Sequence, residues 1–563
     1  MTAPAAVTVA RKTDAPPIIL PTIIAANTGV PITVAPVTAA GRALLPTAEA
    51  CPRWTMDTVR PYIGIAGVLF GSIIATVAGR ITTFGLADLR GGLHAGFDEG
   101  AWITTSFGIG QMLSGVCSPY LGAIFGVRRV LLLGIVMMFI CSLLAPLALN
   151  LNAFLAVQFL SGIGAGTFIP LTISFIIRNL PARLVIYGIA VYAMNSELSQ
   201  NVAASLEGWF SDNWSWRWIE WQYCAMLPLM FVCIWNGVPK EKINTTLMRN
   251  LDWPGLIYAM LGFGLLYAGL DQGNRLDWVN NGLISGLLLA GGVFTALFVV
   301  REFLVENTFL NLHRLLRGNL LLLMLLLAGF RFIILSTAYV IPNYLQVVQN
   351  FRELQVGDVL LWIALPQLVL AFPVVLLLRY CDGRLVLALG SLLIGIACLL
   401  ATGLTSQWAT GDFLPSQVLQ AIGQSFALTA LLMLVVRSIS PTDALSIGCL
   451  LQISRLFGGE MGTAFMQTFV RMREQVHSNL VGLHVDAIAG LTVDRLNGYK
   501  GALAAHTADL ATAAAQAEKL LAAAVAQQAS VLAYIDGFLA AGFGAFICLL
   551  LVAMMRPTPP SSF

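Results

Sequence analysis

Charged residues are scarce in this chain, and their scarcity excludes an ordinary soluble protein. Asp, Glu, Lys and Arg make up 10% of the 563 residues, whereas hydrophobic residues make up 58%. Soluble domains carry about 25% charged residues. The mean hydropathy of +0.82 is typical of a chain that lies mostly within a lipid bilayer. We therefore predict an all-α integral membrane protein.

Sequence signals for enzymatic chemistry are also missing. The nine cysteines are scattered singly, without a C-x-x-C pair, and the five histidines show no ligand spacing, so neither a disulfide framework nor a metal site is predicted. The chain has no nucleophile elbow, P-loop or paired catalytic motif. We expect no enzymatic activity, no resident cofactor and no nucleic-acid partner. The missing Walker A motif argues against an ATP-driven pump within this chain.

Hydropathy predicts fourteen membrane spans from about residue 62 onward. Residues 1–58, rich in Pro, Ala and Thr, precede them as a predicted disordered tail. Nineteen Lys and Arg residues fall in the predicted cytoplasmic segments and four in the short outer loops, so we predict that both termini are cytoplasmic. Residues 473–529, before the last span, are predicted to form one or two amphipathic helices outside the membrane. They would cover the outer mouth or bind another protein.

The fifth predicted span carries a broad polar stripe. Glu197, Gln200, Asn201 and Glu207 recur on neighbouring faces of a 3.6-residue helix. Unsatisfied polar groups in lipid cost several kcal/mol each, so this stripe must line a wet cavity or contact polar partners. The stripe is the first indication of a transporter.

Three arginines also lie inside predicted spans, where ionisable residues are functional candidates. Arg80 shares one face of span one with Thr76, and we expect this face to line the same cavity as the stripe. Arg331 and Arg455 lie near the predicted midplane, as does Glu197.

Several short motifs follow one another between about residues 62 and 557. In chain order they are Trp102-Ile-Thr-Thr-Ser-Phe107, Gly126-Val-Arg128-Arg129, Gln158-Phe-Leu-Ser-Gly162-Ile-Gly-Ala-Gly166, Trp216-Arg-Trp218, Ile341-Pro342, Ser454-Arg455-Leu-Phe-Gly458-Gly459 and Leu532-Ala-Tyr-Ile-Asp536. Their order resembles that of the fourteen-span EmrB/QacA-type drug exporters of the major facilitator superfamily. Each motif is weak alone, and their common order carries the resemblance.

The resemblance implies a major facilitator fold, with two six-helix bundles around a central cavity and two extra linking spans. Residues 59–239 would form the first bundle, 240–318 the linking spans and 319–563 the second bundle. It also implies that proton influx through the bacterial inner membrane drives the export of lipophilic compounds. Gram-negative members with a similarly long last outer loop work with a membrane-fusion adaptor and an outer-membrane channel.

The resemblance also assigns structural roles. Arg128 and Arg129 belong to what looks like a remnant of the signature loop between spans two and three, and Arg455 to a structural motif of span thirteen. Gly162 and Gly166 form a small-xxx-small pattern, which indicates close helix packing.

Three coupling elements of this family are altered here. Ile74 takes the place of the span-one Asp, and Gln158 takes the place of the span-four Arg. In span five, Ala203-Ala204 and Glu207-Gly208 stand where the family has Gly-Pro and Gly-Gly. Proton coupling must therefore use other residues, and we take Glu197, Glu207 and Glu460 as candidates.

Each candidate has a structural alternative. Arg80 either pairs with Glu207 or extends along its aliphatic stem to the outer interface. Glu197 either carries a proton or makes a structural hydrogen bond. Arg331 either binds an anionic substrate group or pairs with an acid such as Glu197 or with helix-end carbonyls. Gln158, Gln200 and Asn201 are further candidates for the substrate cavity.

We therefore predict a secondary exporter of lipophilic small molecules, of the multidrug-efflux type and driven by the proton gradient. A lipid or amphiphile flippase is the alternative within transport. A membrane scaffold or sensor that transports nothing is the alternative from another class.

Overall fold

The computed structural model describes residues 56–305, 310, 319–438, 444–486, 488–504 and 510–556. The predicted tail lies outside these residues except for its last three positions. Helices and no strands occur within the described ranges. Helices satisfy their backbone hydrogen bonds internally, which a span in lipid requires.

Fourteen long helices succeed one another within the described ranges. We number them α1 (Met56–Phe84), α2 (Trp102–Phe125), α3 (Val127–Leu144), α4 (Leu151–Asn179), α5 (Ala182–Asn213), α6 (Trp218–Gly237), α7 (Trp253–Gly273), α8 (Gly282–Leu304), α9 (Leu320–Val347), α10 (Glu353–Tyr380), α11 (Gly383–Ala401), α12 (Leu414–Arg437), α13 (Ala444–Gly482) and α14 (Leu510–Ala553).

Eleven of these helices are long and apolar enough to cross a membrane, counted over the described residues. The other three are α2, α5 and α13, whose polar and charged residues lower their hydropathy. All three contribute to the interior that the fold encloses. Eleven qualifying helices are consistent with fourteen spans, and the number fourteen stays a prediction.

Two of the helices are interrupted, and the sequence gives a reason in each case. Helix α4 breaks at Thr167, three residues before Pro170. Helix α9 widens into a π-turn at Ser336–Val340, just before Pro342. Proline has no N–H to donate, so the helical hydrogen bonds are rearranged beside it.

The first six and last six helices contact each other through several helix pairs, including α5 with α12 and α4 with α13. Helix α5 packs against α10, and α2 packs against α13. The α2–α13 contact lies near the ends that we predict to be cytoplasmic. There the hydroxyls of Tyr120 and Ser446 are 3.0 Å apart, and the Cys449 thiol donates to the Val116 carbonyl at 2.9 Å.

Helices α7 and α8 form an antiparallel pair beside this junction. Arg301 of α8 bonds Asp252 at the start of α7, with 2.8 Å between Nε and Oδ1. Helix α7 also packs against α2 and α13. The loop after α7 is attached to the outer part of α13, because Trp278 donates from Nε1 to the Thr468 hydroxyl at 3.1 Å. Helix α7 therefore lies beside the junction of α2 and α13, and α8 packs against α7.

Helices α13 and α14 continue beyond the membrane. They contain 39 and 44 residues, and at about 1.5 Å per residue each is roughly twice as long as the ~30 Å hydrocarbon core. A separate helix, Gly490–Ala504, packs against α14. Most of residues 473–529, which we predicted to form helices outside the membrane, thus belong to the ends of α13 and α14. Residues 487 and 505–509 lie outside the description.

Candidate functional site

A cavity of about 320 Å³ lies among α1, α2, α5, α7, α9 and α13. Its walls extend from Gln200 and Arg331 toward Thr83, Thr104 and Gln467 at the predicted outer ends of their helices. The cavity therefore lies in the predicted outer half of the molecule, on the far side of the α2–α13 contact from the predicted cytoplasm. Ligand pockets of about 300–1,000 Å³ are common in proteins, so it is large enough for a small molecule.

Three guanidinium groups from three helices line this cavity: Arg80 on α1, Arg331 on α9 and Arg455 on α13. Arg80 donates from Nη2 to the Ala338 carbonyl at 2.9 Å, and its guanidinium lies 4.9 Å from the ring centre of Phe84. Arg455 has its Nη2 3.5 Å from the hydroxyl of Thr76.

Arg331 is held by a residue of the polar stripe. When the Gln200 amide is oriented by its hydrogen-bond partners, its oxygen accepts from Nη2 and Nη1 of Arg331 at 2.8 and 3.1 Å. Glu197 is not paired with Arg331 at ion-pair distance in the described chain, although both line a smaller adjoining cavity of about 30 Å³. An amide neutralises no charge, so Arg331 keeps its positive charge uncompensated by this contact.

Several nitrogens of these arginines have no hydrogen-bond partner within the described residues: Arg80 Nε, Arg331 Nε and Arg455 Nη1. A buried donor that stays unpaired costs about 1–3 kcal/mol, and more when the group is charged. A ligand carboxylate, sulfonate or phosphate could accept from the three guanidinium groups that line the cavity, because guanidinium matches such oxyanions in two-point contacts. The cavity is therefore chemically suited to a negatively charged ligand.

Apolar side chains surround these charges. Phe107, Ile334, Leu335 and Leu456 line the same cavity. A ligand that fills it would need an apolar body as well as a polar group, because apolar surface gains free energy when it leaves water.

Glu197 lies at the base of the site. Its side chain is 1% exposed, and its Oε1 has no hydrogen-bond partner among the described residues. It shares the smaller cavity with Tyr192, Ser196 and Gln452. A buried carboxylate in this position can take up a proton or accept from a ligand donor. The proton-carrier role of Glu197 remains a prediction.

Arg80 and Glu207 do not form the pair that we considered. Arg80 contacts α9 through Ala338, whereas Glu207 Oε1 accepts from the hydroxyl of Ser211 at 2.9 Å. Glu207 is fully buried near Gly85, outside the lining of the large cavity. Arg80 lies in the cavity wall.

The other polar candidates are divided between the cavity and the helix contacts. Thr76 and Gln200 line the cavity. Asn201 instead donates to Gln367 of α10 at 3.3 Å and to the Glu197 carbonyl at 3.0 Å. Part of the polar stripe of α5 is thus used to bind the second half of the molecule.

Gln158 lies away from the cavity, buried against α6. Its Nε2 donates to Glu220 Oε1 at 2.5 Å. Glu220 is 3% exposed. Sequence reasoning missed this acid because it is near the predicted start of span six, where a charged residue indicates a boundary. The contact explains why a polar side chain is retained at position 158.

The motif residues lie at helix contacts. A Cβ built on Gly162 would approach the Phe107 carbonyl oxygen to 2.1 Å, and one on Gly166 would approach the Ser114 hydroxyl to 2.0 Å. Any larger residue would therefore push α4 away from α2. Arg128 lies over the Trp235 ring at 4.6 Å, and Arg129 donates to the Phe125 carbonyl at 3.1 Å.

The linking helix α7 contributes two residues that the sequence did not single out, Tyr267 and Asp271. They lie near Glu460 of α13 on the wall of the cavity. Asp271 is only two residues from the end of α7, so in the sequence it looked like a boundary residue. Its position in the cavity follows from the packing of α7 against α2 and α13.

Comparisons with known proteins agree with this architecture. The family model of the Major Facilitator Superfamily matches residues 68–463. The chain is 30% identical to the probable multidrug resistance protein EmrY of Escherichia coli K12, over 41% of this chain and 45% of that protein. It is 25% identical to the multidrug export protein EmrB of Haemophilus influenzae, over 72% of this chain and 80% of that protein. For the fatty acid resistance protein FarB of Neisseria gonorrhoeae the identity is 24%, over 70% of this chain and 78% of that protein.

Two solved structures share the fold. The human organic anion transporter MFSD10 gives a TM-score of 0.52 at 14% identity, covering 86% of this chain and 99% of that one. The proton:xylose symporter XylE gives 0.51 at 12% identity, covering 86% of this chain and 95% of that one. At such identities the likeness concerns the fold alone.

Proposed function

Because the chain belongs to the major facilitator superfamily, we propose that it exports lipophilic anions across the bacterial inner membrane in exchange for protons. It is a multi-pass membrane transporter of small molecules and not an enzyme, and it resembles the EmrB-like multidrug exporters.

One observation carries the proposed substrate class. Arg80, Arg331 and Arg455 converge on one partly apolar cavity, and each keeps a nitrogen without a hydrogen-bond partner among the described residues. An anionic head group would accept from these guanidiniums while an apolar tail fills the space beside Phe107 and Leu335. A relative is named for fatty acid resistance, and fatty acids combine these two properties.

The residues of the interior support the proposed energy source. No Walker A motif is present in the sequence, and three buried carboxylates, Glu197, Glu207 and Glu460, each keep an oxygen without a partner in the described structure. Buried carboxylates are the groups that carry protons in transporters of this kind. Both termini would then lie in the cytoplasm, and protons would enter from the outer side.

The extension of α13 and α14 supports a partner on the outer side. Leu480 and Leu483, beyond the hydrocarbon core, are 51% and 79% exposed, and Leu491 of the separate helix is 83% exposed. Exposed apolar residues of this kind are frequent in protein–protein contacts. We propose that this extension binds a periplasmic adaptor, which leads to an outer-membrane channel in a tripartite pump.

The transport proposal is tested in proteoliposomes that contain a pH-sensitive dye. Three compounds with the same ten-carbon tail are compared: decanesulfonate, decyltrimethylammonium and decanol. The sulfonate stays ionised at all working pH values, so it cannot carry protons through the lipid by itself. We expect proton movement that depends on the protein and follows decanesulfonate only. Proton movement with decyltrimethylammonium alone, or with none of the three, would contradict the proposal.

A further inference from the structure

We propose that Asp271 and Glu460 form one proton-accepting pair, and that the linking helix α7 thereby contributes directly to energy coupling. This inference rests on the proposed proton-coupled export and adds the site at which the proton binds. The two carboxylates lie on the same wall of the cavity, where α7 meets α13.

Asp271 is fixed in place by helix α2 and its own helix. The Thr105 hydroxyl donates to Asp271 Oδ2, and the Gln272 amide donates to the same hydroxyl. Gln272 also donates to the Ala101 carbonyl at 3.1 Å. The carboxylate is therefore oriented by a short chain of hydrogen bonds and remains in the cavity wall.

Glu460 is the member of the pair with a carboxylate oxygen that accepts no hydrogen bond within the described structure. Its side chain is 9% exposed and lines the cavity, and its Oε1 has no hydrogen-bond partner among the residues that the structure describes. Two neighbouring carboxylates repel each other when both are ionised. A proton shared between them removes this repulsion and supplies the hydrogen-bond donor that Oε1 lacks.

The other ionisable groups around the cavity are a tyrosine and arginines, so Asp271 and Glu460 are the carboxylates of its lining. Tyr267 on α7 is an electrostatic neighbour of both carboxylates. Arg275, one turn beyond Asp271, is bound by the Asp98 carboxylate at 2.5 Å and by the Gln272 amide oxygen at 2.8 Å. The remaining charged groups of the cavity are the three guanidiniums described above: Arg80 on α1, Arg331 on α9 and Arg455 on α13.

The position of the pair suits proton uptake from outside. The cavity lies in the predicted outer half of the molecule, on the far side of the α2–α13 contact from the predicted cytoplasm. In this arrangement a proton from the outer solution binds to the pair after the substrate has left. When the cavity opens to the cytoplasm, the same proton is released there and both carboxylates are again available. The step moves one proton inward and forms or breaks no other covalent bond.

The test uses the full-length protein with Asp271→Asn, Glu460→Gln and the double variant. Asp277→Asn is the matched control, because this aspartate is on the exposed loop that follows α7. Three readouts are compared with the unaltered protein: decanesulfonate binding in detergent, exchange of labelled for unlabelled decanesulfonate without a gradient, and accumulation driven by a pH gradient. Exchange and binding require no net proton movement, so they report on folding and on substrate recognition.

We expect Asp271→Asn and Glu460→Gln each to lower gradient-driven accumulation at least tenfold. Exchange is expected to persist, and decanesulfonate binding to be no weaker than in the unaltered protein, because each change removes a negative charge from the wall of the cavity that holds the anion. The double variant is expected to be no worse than either single one, because the pair acts as a unit. Gradient-driven accumulation by Asp271→Asn at the unaltered rate would overturn this inference and leave proton-coupled export intact. Absence of any gradient-driven accumulation by the unaltered protein would overturn the proposed function, and the inference with it.

Discussion

Replacement of Arg331 is the perturbation with the clearest expected magnitude. Its Nη1 and Nη2 donate to Gln200 at 3.1 and 2.8 Å, and its Nε has no partner in the described structure. A bound sulfonate would accept from this guanidinium, and a hydrogen bond that involves a charged group contributes about 1.5–3 kcal/mol. Arg331→Met is therefore expected to weaken decanesulfonate binding by about 10- to 150-fold.

Arg331→Lys separates charge from shape. Lysine keeps the positive charge but lacks the planar fork that guanidinium offers to an oxyanion. We expect it to bind decanesulfonate with an affinity between those of the unaltered protein and Arg331→Met. Gln200→Ala removes the competitor for both Nη atoms, and we expect it to strengthen binding.

The assay is calorimetric titration of the purified protein in detergent, with thermal unfolding as a measure of integrity. Decyltrimethylammonium serves as the ligand of opposite charge, and its affinity is not expected to fall in Arg331→Met. If a folded Arg331→Met protein bound decanesulfonate within twofold of the unaltered protein, the assignment of Arg331 to the anion would be refuted. An equal loss for both ligands would indicate general damage to the cavity.

Two further predictions concern stability. A Cβ on Gly208 would lie 2.4 Å from the backbone nitrogen of Leu354, so Gly208→Ala is expected to destabilise the α5–α10 contact by about 1–3 kcal/mol. Gly286→Ala, with no atom within 4 Å of its Cβ, is the control and is not expected to lower the melting temperature, because alanine favours a helix more than glycine does. A Gly208→Ala protein that melts no lower than the unaltered protein would contradict the close approach of α5 and α10. Gln158→Leu removes the hydrogen-bond donor to buried Glu220 and is expected to lower the free energy of unfolding by about 1–3 kcal/mol. Its affinity for decanesulfonate is expected to stay the same. A loss of affinity at unchanged stability would place Gln158 at the substrate.

Much of the architecture could be predicted from the sequence. The family match and the solved relatives confirm the all-helical major facilitator fold, because long apolar runs and ordered motifs are local features of the chain. The polar stripe of α5 indicated an enclosed polar interior, and Gln200 does face the cavity. The apolar setting of Arg331 likewise singled it out as a residue of the interior.

The contacts between distant helices could not be predicted in the same way. Periodicity gives the face of a helix on which a residue lies, but not the helix that packs against that face. Arg80 and Glu207 have similar depths in the sequence prediction, yet Arg80 contacts α9 and Glu207 contacts its own helix. Asp271 joins the cavity only because α7 packs between the outer parts of α2 and α13, which no local pattern reveals.

The charge preference of the cavity in the unaltered protein is the most direct test of this account. Decanesulfonate, decyltrimethylammonium and decanol have the same tail, so differences in their affinity for the purified protein measure recognition of the head group alone. The three inward-facing guanidiniums predict that decanesulfonate binds at least tenfold more tightly than either of the others. Equal or tighter binding of decyltrimethylammonium would contradict the assignment of the cavity to lipophilic anions.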